Sequence, residues 1–209
     1  DSNASRLGVK GGYDLEVGNL KAIYQAEYQI DVDNGGAAPF SQRNIFAGLK
    51  GDFGTIMAGK FDTPLKTSQG KVDQFNDLDG DISSFMTGDE RANNIVQYTS
   101  PKLADAITIN AAFIPNEDQD DFDGDGENEN GLTDTISLSV VYETDSLYAA
   151  LAQDMDNNYE GLDADASVGP IDITRLTGAY KIDAFELGAI YQMAEDTESD
   201  GEETSMLVS

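Results

Sequence analysis

The chain has no cysteine, no histidine and no tryptophan, and its 209 residues carry only 12 Lys+Arg against 40 Asp+Glu. Without cysteine there is no disulfide framework and no thiol chemistry, which suits passage through an oxidising compartment. Without histidine the commonest general base and the commonest transition-metal ligand are both missing, so a Ser-His-Asp hydrolase and a His-ligated zinc site are excluded. The formal charge of −28 repels nucleic acid, whose phosphates are bound by patches of Lys and Arg. It favours cations and keeps a protein soluble at high salt. Long apolar runs are also missing: nothing approaches the ~20 residues of a membrane helix. Asp1 opens in polar sequence, without the basic segment and apolar core of a secretory signal.

What the chain does have is alternation. Leu20, Ala22, Tyr24, Ala26, Tyr28, Ile30 and Val32 take turns with Lys21, Ile23, Gln25, Glu27, Gln29 and Asp31. That is a period of two, one face apolar and one polar, over more residues than the roughly five or six of an ordinary strand. The pattern recurs at 136–143, 175–182 and 185–194, and further strands are expected near 4–13, 43–53, 55–62, 93–100, 106–114, 147–155 and 204–209. No helical stripe exceeds two turns. Short turns are expected at 16–19, 52–54, 102–105, 144–146 and 183–184, and long acidic connections at 33–42, 64–90, 116–133, 156–170 and 195–203. Short turns at one end and long loops at the other describe an antiparallel up-and-down meander. Two architectures satisfy it: a transmembrane barrel, and a soluble β-sandwich with one apolar face per strand. Tyr13, Tyr28, Phe53, Tyr98, Tyr142, Tyr180 and Phe185 fall near strand ends on the apolar face, which favours a lipid-facing belt.

The stretch of residues 43–64, RNIFAGLKGDFGTIMAGKFDTP, resembles a hairpin of the general trimeric porins of Gram-negative bacteria. SRLGVKG at 5–11 and NIVQYTSP at 94–101 resemble neighbouring strands of that family. The resemblance implies an all-β, up-and-down transmembrane barrel of the outer membrane, of which 1–209 supplies about eleven of sixteen strands as one domain incomplete at both ends. It implies a homotrimer in contact with membrane lipid and lipopolysaccharide, passing small polar solutes and ions. It also implies that loop 64–90 folds inward as a constriction, a loop long enough to be functional. Asp73, Asp77, Asp79 and Asp81 would then form an acidic wall, and Arg6, Lys10, Lys60 and Arg91 a basic wall opposite. Strand parity is consistent with this: Arg6 and Lys10 oppose Leu7, Val9 and Tyr13, and Arg91 shares a face with Asn93 and Gln97. The acidity predicts a preference for cations.

Asp121, Asp123 and Asp125, with Gly124 and Gly126 between and after them, match the first half of an EF-hand loop. Leu132 stands where the bidentate Glu belongs, so a solvated acidic loop with weak calcium or magnesium binding is the expectation, and no cofactor is required. The rival to the porin reading is a soluble acidic calcium-binding surface or adhesion module made of two packed sheets with a polar exterior. An enzyme is disfavoured: acidic pairs could hydrolyse glycosides, but in a chain this acidic nothing marks one pair out.

Overall fold

The computed structural model describes residues 5–32, 39–74, 80–115, 134–157, 170–198 and 200–209. They form a single antiparallel sheet in strict sequence order: β1 (Ser5–Asp14), β2 (Lys21–Ile30), β3 (Phe40–Gly51), β4 (Gly54–Asp62), β5 (Arg91–Thr99), β6 (Ile107–Ile114), β7 (Thr135–Glu143), β8 (Leu147–Asn157), β9 (Ile171–Ile182), β10 (Phe185–Asp196) and β11 (Glu202–Val208). These are the eleven expected strands, the last included. A one-sheet meander excludes the two packed sheets of the soluble module.

The alternation decides which way each side chain faces. Leu7, Val9, Tyr24, Leu49, Ile56, Val96, Phe113, Leu138, Leu151, Leu176 and Leu187 are all exposed, on one face. The seven aromatics near the strand ends are exposed with them. In water an apolar face of this extent would be a liability; facing hydrocarbon it is the expected exterior of a barrel. No helix among the described residues is long and apolar enough to cross a membrane, which bears only on helical spans.

Tight turns close one rim. Ala104 and Asp105, at φ 47° and 59°, form the left-handed pair of a type I′ hairpin turn between β5 and β6. Asp183, at φ 54°, opens the two-residue turn from β9 to β10. Asp reaches this region more readily than most residues, because its short side chain hydrogen-bonds locally.

The buried core lies on the other face, beneath the connection between β4 and β5. That connection starts with a four-residue helix, α1 (Pro64–Thr67), and later makes a 3-10 turn at Ile82–Ser84. Thr63 caps α1, its hydroxyl accepting from Lys66 N at 3.1 Å, with Pro64 at the first helical position where a missing N–H costs nothing. Leu65 packs with Ala152, Ile171, Ile173 and Ala194. Val72, Ile82 and Met86 pack with Ala179, Ile190 and Leu207. At its root, Phe61 joins Ala92, Ile95, Ala112 and Ile114, with the Phe61 and Phe46 rings edge-to-face at 5.7 Å. Each large apolar side chain buried in these clusters contributes about 1.5–3 kcal/mol.

The same segment reports how the sheet is rolled. Gly70 borders one cavity with Arg6 of β1, and a Cβ on Gly70 would meet the Tyr148 ring of β8 at 2.7 Å. In a flat sheet those strands would stand seven steps, about 33 Å, apart. The sheet therefore curls around the segment.

Candidate functional site

Two spaces lie on either side of Gly70. One is a cavity of about 590 Å³ toward the rim of long connections, bordered by Arg6, Arg43, Lys66 and Arg91 and by Asp62, Asp81 and Asp89. The other, about 390 Å³, opens at the short-turn rim and is bordered by Lys71, Tyr148, Lys181, Glu186 and the turn at 143–146. Gly70 is common to both.

The first cavity is lined by residues of β1, β3, β4 and β5 and by the segment. Directly opposed residues on antiparallel strands share a face, so register sets Arg6 against Gln29 and Lys10 against Gln25, with Glu27 between them against Gly8. On β3, Arg43 donates through Nε to Glu27 Oε1 at 3.0 Å and through Nη1 to Gln29 Oε1 at 3.3 Å. Arg91 lies 2.9 Å from Asp62 Oδ1 and donates to Asn44, which in turn donates to Asp62 at 3.2 Å. Lys66, on α1, sits 3.2 Å from an Asp89 carboxylate oxygen and 3.7 Å from Asp62. Its Nζ also donates to the Asp89 carbonyl at 3.0 Å. Burial pushes the Asp89 carboxyl above the usual carboxylate range, opposed by the Lys66 ammonium beside it. Basic groups are thus matched by acids almost one for one, so the cavity is strongly polar with little net charge.

Of the residues expected from sequence, Arg6, Arg91 and Asp81 border this cavity. Asp81 also caps the 3-10 turn, accepting from Ser83 N at 2.9 Å. Asp73 is 9% exposed and accepts from Ile82 N at 3.3 Å; it does not border the cavity. Lys10 shares the Arg6 face but lies outside the cavity lining. Lys60 is registered opposite Ile45, in line with the Leu49–Ile56 pair of the exposed face, and it too is absent from the lining. Lys66, six residues on, supplies a cation there instead. A bulge between β4 and β5, with Asn94 at φ 52°, interrupts the alternation from which the Arg91 parity is read, although Arg91 reaches the cavity. Asp77 and Asp79 lie outside the described residues, as do Asp121, Asp123 and Asp125. Among the described residues no cluster of three or more metal-ligating side chains occurs.

Sequence reasoning missed Arg43, Lys66, Asp62, Asp89 and the buried Arg175. Arg43 was not findable by parity, since it alternates in step with Ile45, Ala47 and Leu49 of the exterior row, and only the bulge between Ala26 and Tyr28 in the β2–β3 pairing brings it to Glu27. Asp62, Lys66 and Asp89 sit at the two roots of the segment, where neither strand nor helix periodicity applies. Arg175 is fully buried on β9. Its Nε donates to Gln192 Oε1 at 2.7 Å, Nη1 to the Leu65 carbonyl at 3.3 Å and Nη2 to the Thr87 carbonyl at 3.2 Å.

The Gram-negative porin family model matches residues 1–209. Major outer membrane protein P.IA of Neisseria meningitidis is 34% identical over 103 residues, 48% of this chain and 26% of that protein. An anion-selective porin from Comamonas acidovorans has the same fold, with a TM-score of 0.75 at 23% identity, covering 99% of this chain and 63% of that one. The trimer form of OmpT from Vibrio cholerae gives a TM-score of 0.63 at 22% identity, over 98% of this chain and 63% of that one. The chain thus spans about a quarter of the length of the curated relatives it matches and under two thirds of these solved barrels. The match along its whole length, on an open meander with an apolar exterior, establishes that the chain belongs to the Gram-negative porin family.

Proposed function

We propose that this chain is the greater part of an outer-membrane porin, a water-filled channel for passive diffusion of small hydrophilic solutes and ions, narrowed by loop 64–90. The observation that carries the reading is that Gly70 borders both spaces: the segment stands between a cavity facing one rim and a cavity facing the other. A solute travelling between the rims passes that segment. There it meets Arg43, Lys66 and Arg91 beside Asp62, Asp81 and Asp89, fixed charges of both signs in a partly desolvated gap. Such a gap orients dipolar solutes and retains water, so apolar solutes must displace ordered water to pass. No covalent chemistry is needed.

The preference is for cations. Glu27, Asp62 and Asp89 neutralise the cavity's Arg43, Arg91 and Lys66 locally, so these attract few anions, while the chain as a whole carries −28. The Comamonas porin is anion-selective on the same fold, so side-chain charge and not the fold sets the sign. The exposed apolar face contacts lipid and, near the long connections, lipopolysaccharide; three copies associate, as in the OmpT trimer form. The test is the reversal potential of the complete barrel in a planar bilayer under a potassium chloride gradient. A cation-selective potential is expected, and an anion-selective one overturns the preference.

A further inference from the structure

The wall beneath the segment contains a group that neither permeation nor core packing accounts for. Arg175 is completely buried, and burying a guanidinium costs several kcal/mol unless its donors are met. A Leu or Met would fill a similar volume without that cost, although it would remove the cation that also faces the buried Asp154 carboxyl on β8. Its fork is met from three directions, by the Gln192 side chain, by the Leu65 carbonyl at the entry limb of the segment, and by the Thr87 carbonyl at the exit limb. Gln192, equally buried on β10, donates from Nε2 to the same Thr87 carbonyl at 2.9 Å. Leu65 is held at both backbone groups, since its N–H donates to Ser137 Oγ on β7 at 3.2 Å. Two further features fit a fixed dock. Gly88, at φ 82°, presses its Cα edge so close to the wall that a Cβ would meet Leu65 Cδ2 at 2.6 Å and Ile173 Cδ1 at 2.8 Å. Tyr148 donates its hydroxyl to the Ser68 carbonyl at 2.9 Å.

We propose that Arg175, oriented by Gln192, is the positioning residue that sets the width of the channel by pinning both limbs of loop 64–90 to the wall. This rests on the constriction reading given above. A planar five-donor fork can hold carbonyls of two separate limbs at once, which a lysine ammonium on one flexible stem does less well. Arg175 therefore acts on solutes through the loop and never touches them.

The experiment compares Arg175→Met, Arg175→Lys and Gln192→Leu in the complete barrel, with single-channel noise and a polymer-exclusion cut-off as readouts and heat-modifiable gel mobility as the folding control. Removing a charge-assisted bond raises the undocked population at least about tenfold. R175M should therefore flicker and admit larger polymers while its barrel remains intact; R175K should recover part of the quiet state, and Q192L should fall between R175K and R175M. If R175M does not assemble, Q192L decides the matter alone, because it keeps the guanidinium and removes one donor to Thr87. Quiet channels with an unchanged cut-off in the assembled variants would overturn the proposal. Arg91→Gln, at the cavity, separates the two levels of the reading. A shifted reversal potential in R91Q beside quiet R175M channels refutes the latch alone, whereas no shift in R91Q refutes the constriction and the latch with it.

Discussion

The strands β1–β3 and β8–β10 carry the same alternation and expose the same apolar exterior, yet their inner faces differ. Not one residue of β1, β2 or β3 is fully buried, whereas β8, β9 and β10 bury nearly every second residue along much of their length. On the first side the inward row is Arg6, Lys10, Gln25, Glu27, Gln29 and Arg43, charged or amide throughout. On the second it is Ala150, Ala152, Ile173, Ala179, Ile190 and Ala194, small or aliphatic, interrupted by Asp154, Arg175 and Gln192. The difference is the footprint of the β4–β5 segment. Where it docks, the wall is a protein core with a few fully engaged polar groups; where it stands away, the wall faces water. One half of the sheet holds the segment, and under the proposed function the other half lines the solute path.

The sharpest break of this contrast is a charge placed on each side. Ile173→Asp buries a carboxylate among Leu65, Ala152 and Ala194 and should cost about 3–5 kcal/mol. Gln25→Asp, on the open wall, should cost under about 0.5 kcal/mol. Urea unfolding of the two variants in detergent checks this, and equal losses would dissolve the distinction. Next comes Leu65→Ala, which leaves a cavity at a fully buried dock and should lose about 2–5 kcal/mol by the same assay. Smaller still is an effect on selectivity rather than stability. Because burial raises the Asp89 carboxyl, acidification protonates it at a higher pH than an exposed carboxylate would need. Lys66, Arg91 and the more distant Arg175 then outweigh Asp62 and Asp81. Lowering the pH should shift the reversal potential toward anions, and Asp89→Asn should flatten the first part of that shift. The smallest change is expected from Lys10→Gln, outside the cavity lining, which should leave the reversal potential within a few millivolts of the parent's.

The strands were legible because period two is dictated by the pleat, and the long-loop and short-turn rims followed from chain punctuation by Gly, Asp and Pro. The footprint was legible too, although not recognised as such. A water-filled lumen asks for polar residues, and Ile173, Ile190 and Ala194 on the inward row of β9 and β10 are the mark of something covering them. What the sequence could not yield was the division of labour among the acids of 64–90. Asp73 and Asp81 look alike in a run of aspartates, but one ties Ile82 N and is buried, while the other borders the cavity. That depends on how the segment folds over itself, which no strand or helix period encodes. Lys60 and Lys66 exchange roles for a related reason, since β4 ends at Asp62 and α1 turns Lys66 back toward Asp62 and Asp89.

The measurement that tests the central claim most directly uses the chain's lack of native cysteine. Ser83→Cys, exposed at the cavity, and Leu138→Cys, on the apolar exterior, are each treated with a charged, water-soluble methanethiosulfonate reagent during single-channel recording of the complete barrel. Modification at Ser83 should cut the open-channel current stepwise, and Leu138 should give no change. An unaltered current from channels whose Ser83 cysteine is shown by mass spectrometry to be modified would contradict the placement of this segment in the solute path.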